Sequence, residues 1–221
     1  MKHFDVAIIG AGIAGASIAS EIGEDRSVLL LEAEDHPGYH STGRSAAFWT
    51  ESYGGPLVQP LTSASRSFLE NPPPEFSESG FLRPRGAVNI SRDDEQHLAD
   101  QFLSDFAESG LSMDRWSWEQ AAALVPNLKP IWTHAIHEPD CRDIDVAALH
   151  AAYLRDAKRK NVELICRAPV SEIRKDGGMW ELSARNESYR ATVLVNAAGA
   201  WADGIARMAG VKPVGIQPLI R

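Results

Sequence analysis

Cysteine is scarce in this sequence: Cys141 and Cys166 are two among 221 residues, and they form no C-x-x-C pair. This argues against a disulfide framework and against a cysteine-built zinc site, and it fits a reducing compartment. No histidine pattern is tied to either thiol, so neither reads as a nucleophile. No apolar run approaches the ~20 residues that cross a bilayer, so no integral membrane segment is expected. The opening residues do not read as a signal peptide, because their apolar run is short, lacks a basic leader and is broken by glycines. Positive charge is also short: 22 Lys and Arg face 30 Asp and Glu, a net charge of −8. That disfavours nucleic acid or an anionic membrane surface as the main partner. Internal repeats, low-complexity tracts, metal-ligand spacings and nucleophile triads are missing too. His134 and His137 read as ordinary residues of a strand.

What is present begins with a core-forming composition, 44% hydrophobic, enough for one large or two small domains. The most informative stretch is the first. Phe4-Asp5-Val6-Ala7-Ile8-Ile9 predicts a strand, and Gly10-Ala11-Gly12-Ile13-Ala14-Gly15 a glycine turn. Ala16 to Glu21 predicts a helix, and Val28 to Leu31 a second strand closed by Glu32 and Ala33. Strand, turn, helix, strand and acid together make a dinucleotide-binding reading far stronger than the glycines alone. Gly10 permits the sharp turn, Gly12 lets a pyrophosphate approach the backbone, and Gly15 lets helix and strand pack closely. The helix N-terminus offers free N–H groups to phosphate. Glu32 is placed to accept from ribose hydroxyls, and its charge disfavours the 2′-phosphate of NADP.

Further along, Pro37 to Ser45 is a polar loop of small residues with one arginine, suited to wrapping a bulky polar ligand. Ser45-Ala46-Ala47-Phe48-Trp49 reads as a helix start. Leu57 to Glu70 has helical spacing and is stopped by Pro72. Phe81 to Ile90 reads as a strand, Asp93 to about Ser109 as a helix, and Ser117 to Gln120 as a capping box. Ile131 to Ile136 predicts another strand. This middle part has no βαβ rhythm and reads as an inserted domain. Val146 to Lys160 then predicts a helix and Val162 to Cys166 a parallel strand. A small antiparallel meander follows from Ala168 to Ala191. Thr192 to Asn196 reads as a buried strand, with a small-residue run and a helix to Met208 behind it.

Three stretches carry a family resemblance: Gly10 to Ser17, Pro37 to Ala47, and Val193 to Trp201. The sequence resembles the D-amino-acid-oxidase-like superfamily of FAD enzymes over nearly its whole length, and within it the bacterial D-arginine dehydrogenases. The resemblance implies an α/β fold: a Rossmann-like FAD-binding domain of the glutathione-reductase type with an inserted α+β substrate domain. The expected segments are 1–78 and 143–213 for the FAD-binding domain, with 79–142 and the start of a second piece, 214–221, for the substrate domain. Relatives continue beyond this length, so the chain is expected to be truncated at its C-terminus.

The resemblance also implies roles. FAD would be held non-covalently. Gly10, Gly12, Ile13, Ala14, Gly15, Glu32 and Ala33 would take its adenosine and phosphate end. Ser41, Thr42, Gly43, Arg44, Ser45, Ala46 and Ala47 would line the flavin and pyrophosphate. Val170 would meet the adenine, and Ala198 and Gly199 would lie along the cofactor. Tyr53 would sit over the substrate, and Arg221 would grip its carboxylate. Phe48 and Ala87 depart from the D-arginine pattern, which has a histidine and a substrate-binding glutamate there. Losing that carboxylate predicts a preference for neutral or apolar D-amino acids. The implied reaction is oxidative deamination to a 2-oxo acid and ammonia. A 2-hydroxy-acid or glycerol-phosphate dehydrogenase is the first alternative, and a non-catalytic nucleotide-binding remnant the second. The implied partners are an amino-acid substrate and an electron acceptor, a quinone or another. The implied location is the cytoplasm, free or peripheral to the inner membrane.

Overall fold

A computed structural model of the chain describes residues 1–218. Along the chain it runs β1 (Lys2–Ile9), α1 (Ile13–Ile22), β2 (Val28–Leu31), β3 (Phe48–Trp49), α2 (Gln59–Glu70), β4 (Leu82–Pro84) and β5 (Ala87–Ser91). It continues with α3 (Gln96–Asp105), β6 (Asp114–Trp116), α4 (Trp118–Leu124), β7 (His134–Glu138), β8 (Arg142–Ile144) and α5 (Val146–Arg159). The last elements are β9 (Glu163–Ile165), β10 (Val170–Asp176), β11 (Met179–Ala184), β12 (Glu187–Asn196) and α6 (Ala202–Met208). Two compact units result: Met1–Ser45 joined by the chain from Val146 onward, and Ala46–Asp145.

The first unit is built on a six-stranded sheet in the order β10-β11-β12-β1-β2-β9. β1 pairs in parallel with β12 and β2, and β2 with β9, while β10, β11 and β12 form the antiparallel meander. Val6–Ile9 of β1 and the whole of β2 are apolar without a polar alternation because both of their faces are covered. Val6, Ile8, Val28 and Leu30 face α1 and α5, in a cluster with Ala19 and Ala157. Ala7, Ile9, Leu29 and Leu31 face the other way, towards Ile173, Leu182 and Tyr189 of the meander. Between the two helices Ser20 Oγ donates to the buried Asp156 carboxylate, which also takes Lys160 and Arg159.

In the second unit, β3 and β4 flank β8 in one sheet, and β5 and β6 flank β7 in another. The capping box opens α4 as expected: Gln120 N donates to Ser117 Oγ, and Ser117 N to Gln120 Oε1.

Several local expectations are corrected. Residues 45–49 form no helix. Trp49 is 4% exposed, its indole donates to Thr62 O at 2.9 Å, and burying that ring fixes the segment as β3, paired with β8. The second compact unit starts at Ala46. The strand expected over 81–90 is two strands. Gly86, at φ +75°, breaks it, and the Arg85 and Gly86 amides turn aside to Cys141 O. The helix from Asp93 starts as a 3-10 turn, Asp93–Glu95, and ends at Asp105. The strand expected at 131–136 is β7, His134–Glu138. Tyr189 to Asn196 is one continuous strand, because β1 pairs along its whole length.

Candidate functional site

The site lies in the first unit, where β1, β2 and β12 end. Gly10 N donates to Leu31 O at 2.8 Å and Ala197 N to Ile9 O at 2.9 Å, so the three strand ends are tied together. Open α/β sheets bind ligands at such C-terminal edges. Gly10 has φ +100°, and a Cβ there would lie 2.4 Å from Ala197 O. A Cβ at Gly15 would lie 1.8 Å from Gly10 O. Both positions require glycine, for the turn and for close helix–strand packing.

The first turn of α1 leaves four N–H groups without helical partners. Ile13 N donates to Thr42 Oγ1 at 3.0 Å. Among the described residues, the amides of Gly12, Ala14 and Gly15 have no acceptor. They remain available to an anion at the positive end of the helix.

Glu32 is 8% exposed, and each oxygen of its carboxylate accepts one main-chain hydrogen bond. Oε2 accepts from Ala11 N at 2.9 Å and Oε1 from Glu34 N at 3.0 Å. Beyond it the chain pairs with the segment after β9: Arg167 N donates to Glu34 O and Ala168 N to Glu32 O. Arg167 is held at φ +52°, with its guanidinium on Asp35 at 2.7 Å. The Cys166 thiol is pushed up from its ordinary value by burial and by the nearby Glu32 charge, so it stays protonated.

Residues 35–45 form the opposite wall. Ser41–Arg44 is a 3-10 turn, and Gly43 N donates to Gly38 O at 2.8 Å. His40 Nε2 meets Glu34 Oε1 at 2.8 Å, and its ring lies 4.4 Å from that of Trp201. The Arg44 guanidinium sits 4.8 Å over the Tyr39 ring. These walls enclose a cavity of about 390 Å³.

Gly10, Gly12, Glu32, Ala33, Ser41, Thr42, Val170, Ala198 and Gly199 line this cavity together. Ile13, Ala14, Gly15, Gly43, Arg44 and Ser45 belong to the same unit but not to the lining; Ile13 to Gly15 act through backbone and packing. Ala46, Ala47 and Tyr53 fall in the second unit, where Tyr53 is 78% exposed. Arg221 lies outside the described residues. Glu34, Tyr39, His40, Ala168, Pro169, Ala197 and Trp201 also line the cavity, beyond the residues expected from the sequence. Tyr39, His40 and Trp201 stand inside the motifs that carry the resemblance, so their chemistry is visible in the sequence and only their direction is not.

The donor set fits FAD. A glycine edge and free helix amides suit a pyrophosphate, a buried acid at the end of β2 suits a ribose, and the apolar Ala168–Val170 wall suits a flat ring. Among the described residues no helix is long and apolar enough to cross a membrane.

Comparisons with known proteins agree. Residues 5–220 match the model of the DAO family, "FAD dependent oxidoreductase". An anaerobic glycerol-3-phosphate dehydrogenase polypeptide of Escherichia coli K12 is 27% identical over 217 residues, 94% of this chain and 40% of that protein. Mitochondrial dimethylglycine dehydrogenase of Rattus norvegicus is 27% identical, over 98% of this chain and 25% of that protein. Among solved structures, glycine oxidase from Geobacillus kaustophilus superposes with a TM-score of 0.83 at 21% identity, covering 95% of this chain and 59% of that one. L-alpha-glycerophosphate oxidase from Mycoplasma pneumoniae with FAD bound gives 0.82 at 19%, over 95% and 58%. The chain therefore spans less than two thirds of each of these proteins. Relatives named for glycerol 3-phosphate stand beside relatives named for amines, so the D-arginine branch is not singled out. With a family match from residue 5 to 220, the chain belongs to the DAO family of FAD-dependent oxidoreductases.

Proposed function

We propose that the chain belongs to an enzyme that oxidises a D-amino acid with a neutral or apolar side chain to the 2-oxo acid and ammonia. The observation that carries the cofactor half of this reading is the cavity between Gly12 and Glu32, with its free α1 amides. Bound FAD supplies the acceptor for the two electrons of the substrate's Cα–H bond. The protein's part is to bind and orient. Gly12 and Ala14 would donate to the pyrophosphate. The lone pairs left on Glu32 would take the adenosine ribose, and Val170 would border the adenine. Tyr53 and Arg221 would meet the substrate, as the resemblance implies.

Side-chain preference rests on Ala87. It sits across the ladder from Glu138 and offers only a methyl group. Glu138 is buried, and its Oε1 accepts from Asn89 Nδ2 at 2.5 Å. The second reading, oxidation of glycerol 3-phosphate or a 2-hydroxy acid, is favoured by the names of the relatives at 27% identity. Flavin bleaching under anaerobic conditions tests both. D-Leucine or D-phenylalanine should bleach the protein, with D-arginine much slower. Bleaching by glycerol 3-phosphate and by no amino acid would establish the second reading instead.

A further inference from the structure

His150 lies on α5, far from both glycine loops in sequence, and none of the motifs includes it. Its ring is buried, 8% exposed, and its Nε2 lies 2.9 Å from Ala11 O. A carbonyl accepts only, so Nε2 carries the proton. The flat of the ring supports Gly38: a Cβ there would lie 2.8 Å from His150 Cε1 and 3.0 Å from Nδ1. One side chain thus touches both walls of the cofactor cavity. The circuit closes through Gly43 N to Gly38 O, and through Ile13 N to Thr42 Oγ1.

The consequence follows from peptide geometry. In a trans peptide the C=O and N–H point in opposite directions in one plane. The Gly10–Ala11 peptide is fixed because its N–H donates to Glu32 and its oxygen abuts Gly15. The next peptide, Ala11–Gly12, has no such anchor except His150 on its oxygen. Holding Ala11 O towards α5 turns Gly12 N–H the other way, and Gly12 lines the cavity. Glycine on either side of Ala11 makes this peptide free to rotate when unanchored.

We infer that His150 is the positioning residue that aims the Gly12 amide at the FAD pyrophosphate and braces the Gly38 turn against it. This rests on the cavity being the FAD site. It assigns to α5 a role in cofactor affinity that is separate from packing.

FAD titration of the apo-protein, followed by flavin fluorescence, tests it alongside apo-protein melting. Gln places an amide N–H close to the position of Nε2, whereas Asn places one near Nδ1 and cannot reach Ala11 O. His150→Gln should bind FAD nearly as the parent does. His150→Asn should bind about tenfold more weakly, a difference of ~1.4 kcal/mol, with an apo melting temperature like that of the Gln variant. Equal FAD affinity in the two variants would overturn the inference. So would a loss in His150→Asn matched by an equal loss of apo stability relative to His150→Gln. Gly12→Ala separates the levels. If it is impaired while His150→Asn is normal, only the His150 role falls. If it binds FAD like the parent, the cavity assignment falls with it.

Discussion

The glycines of the opening loop are not equivalent, and two alanine substitutions should separate them. At Gly15 a Cβ would stand 1.8 Å from Gly10 O, 3.0 Å from its carbon and 3.4 Å from Ala197 Cβ. The obstacle is backbone, so α1 and the β1 turn must move apart. Helix propensity works the other way, since alanine gains about 1 kcal/mol over glycine in a helix interior. The overlap outweighs that gain. Overpacking costs of this kind reach about 3 kcal/mol or more, so Gly15→Ala should lose about 2 kcal/mol net. For a chain of this size that is a melting-temperature drop of roughly 4–8 °C. At Gly12 the backbone is ordinary, with φ −71°, and a Cβ would meet only Thr42 Oγ1, at 3.1 Å. The entropy gained by removing a glycine is ~0.4–1 kcal/mol, comparable to the squeeze on a side-chain oxygen. Gly12→Ala should therefore stay within about 1 kcal/mol of the parent in urea unfolding. Its effect should fall on FAD, because the methyl group would stand at the approach proposed for the pyrophosphate. Fluorescence titration should show affinity lower by about tenfold or more. Equal urea midpoints for the Gly15→Ala variant and the parent would refute the packing argument. A Gly12→Ala variant that unfolds like Gly15→Ala would refute the separation.

Two further outcomes concern stability in the first unit. Asp156 is penalised by burial, but hydrogen bonds from Ser20, Lys160 and Arg159 outweigh this and hold its carboxyl below its ordinary value. Such a group stabilises the fold above its unfolded pKa of about 4, and the contribution is lost as pH falls through the depressed folded value. Asp156→Ala should cost about 2 kcal/mol at pH 7, less than a fully buried pair because Arg159 is half exposed. Urea midpoints of parent and variant should converge in strong acid; a gap that persists there would contradict the assignment. Tyr189 behaves oppositely. It is 1% exposed, donates to Glu187 at 3.0 Å, and is pushed up to about 12 by burial and that partner. Its stabilisation is complete below the ordinary tyrosine value of about 10 and is lost as pH rises through the folded value. Ultraviolet titration should show a tyrosine ionising well above the ordinary tyrosine value, with that step absent in Tyr189→Phe. Its ionisation at an ordinary pH would refute the buried placement.

What the sequence makes legible is what is local. The β1–α1–β2 stretch is readable because strand runs, glycine spacing and the closing acid occur in uninterrupted order, and each has a short-range cause. The meander is readable from alternation and its Asp176-Gly177-Gly178 turn. Residues 45–49 mislead because small residues carry no period, and only the burial of Trp49 decides for a strand. Within the site, Thr42 is visible as a polar residue in a loop, but not as the acceptor for Ile13 N. The His40–Glu34 and His40–Trp201 contacts need the loop's direction. His150 is invisible for a plainer reason: it is 139 residues from Ala11, and a histidine on a half-buried helix looks like any other.

Glu32 has a second task that the motif does not name. The motif explains an acid there by the ribose it would hold. Yet both oxygens already accept from main-chain amides, of Ala11 and Glu34. Two donors on two oxygens require acceptors at both ends. A glutamine would present an NH₂ group to one of them and leave a buried N–H without a partner, which costs about 1–3 kcal/mol. A carboxylate has about four lone-pair positions, so two remain for ribose hydroxyls after the loop is tied. The acid is thus demanded by the glycine loop itself, in addition to the ribose contact proposed for it. With His150 holding the other end of Ala11, the glycine-loop backbone is set by two buried side chains. One directly follows β2 and one lies on α5, and neither belongs to the glycine turn itself.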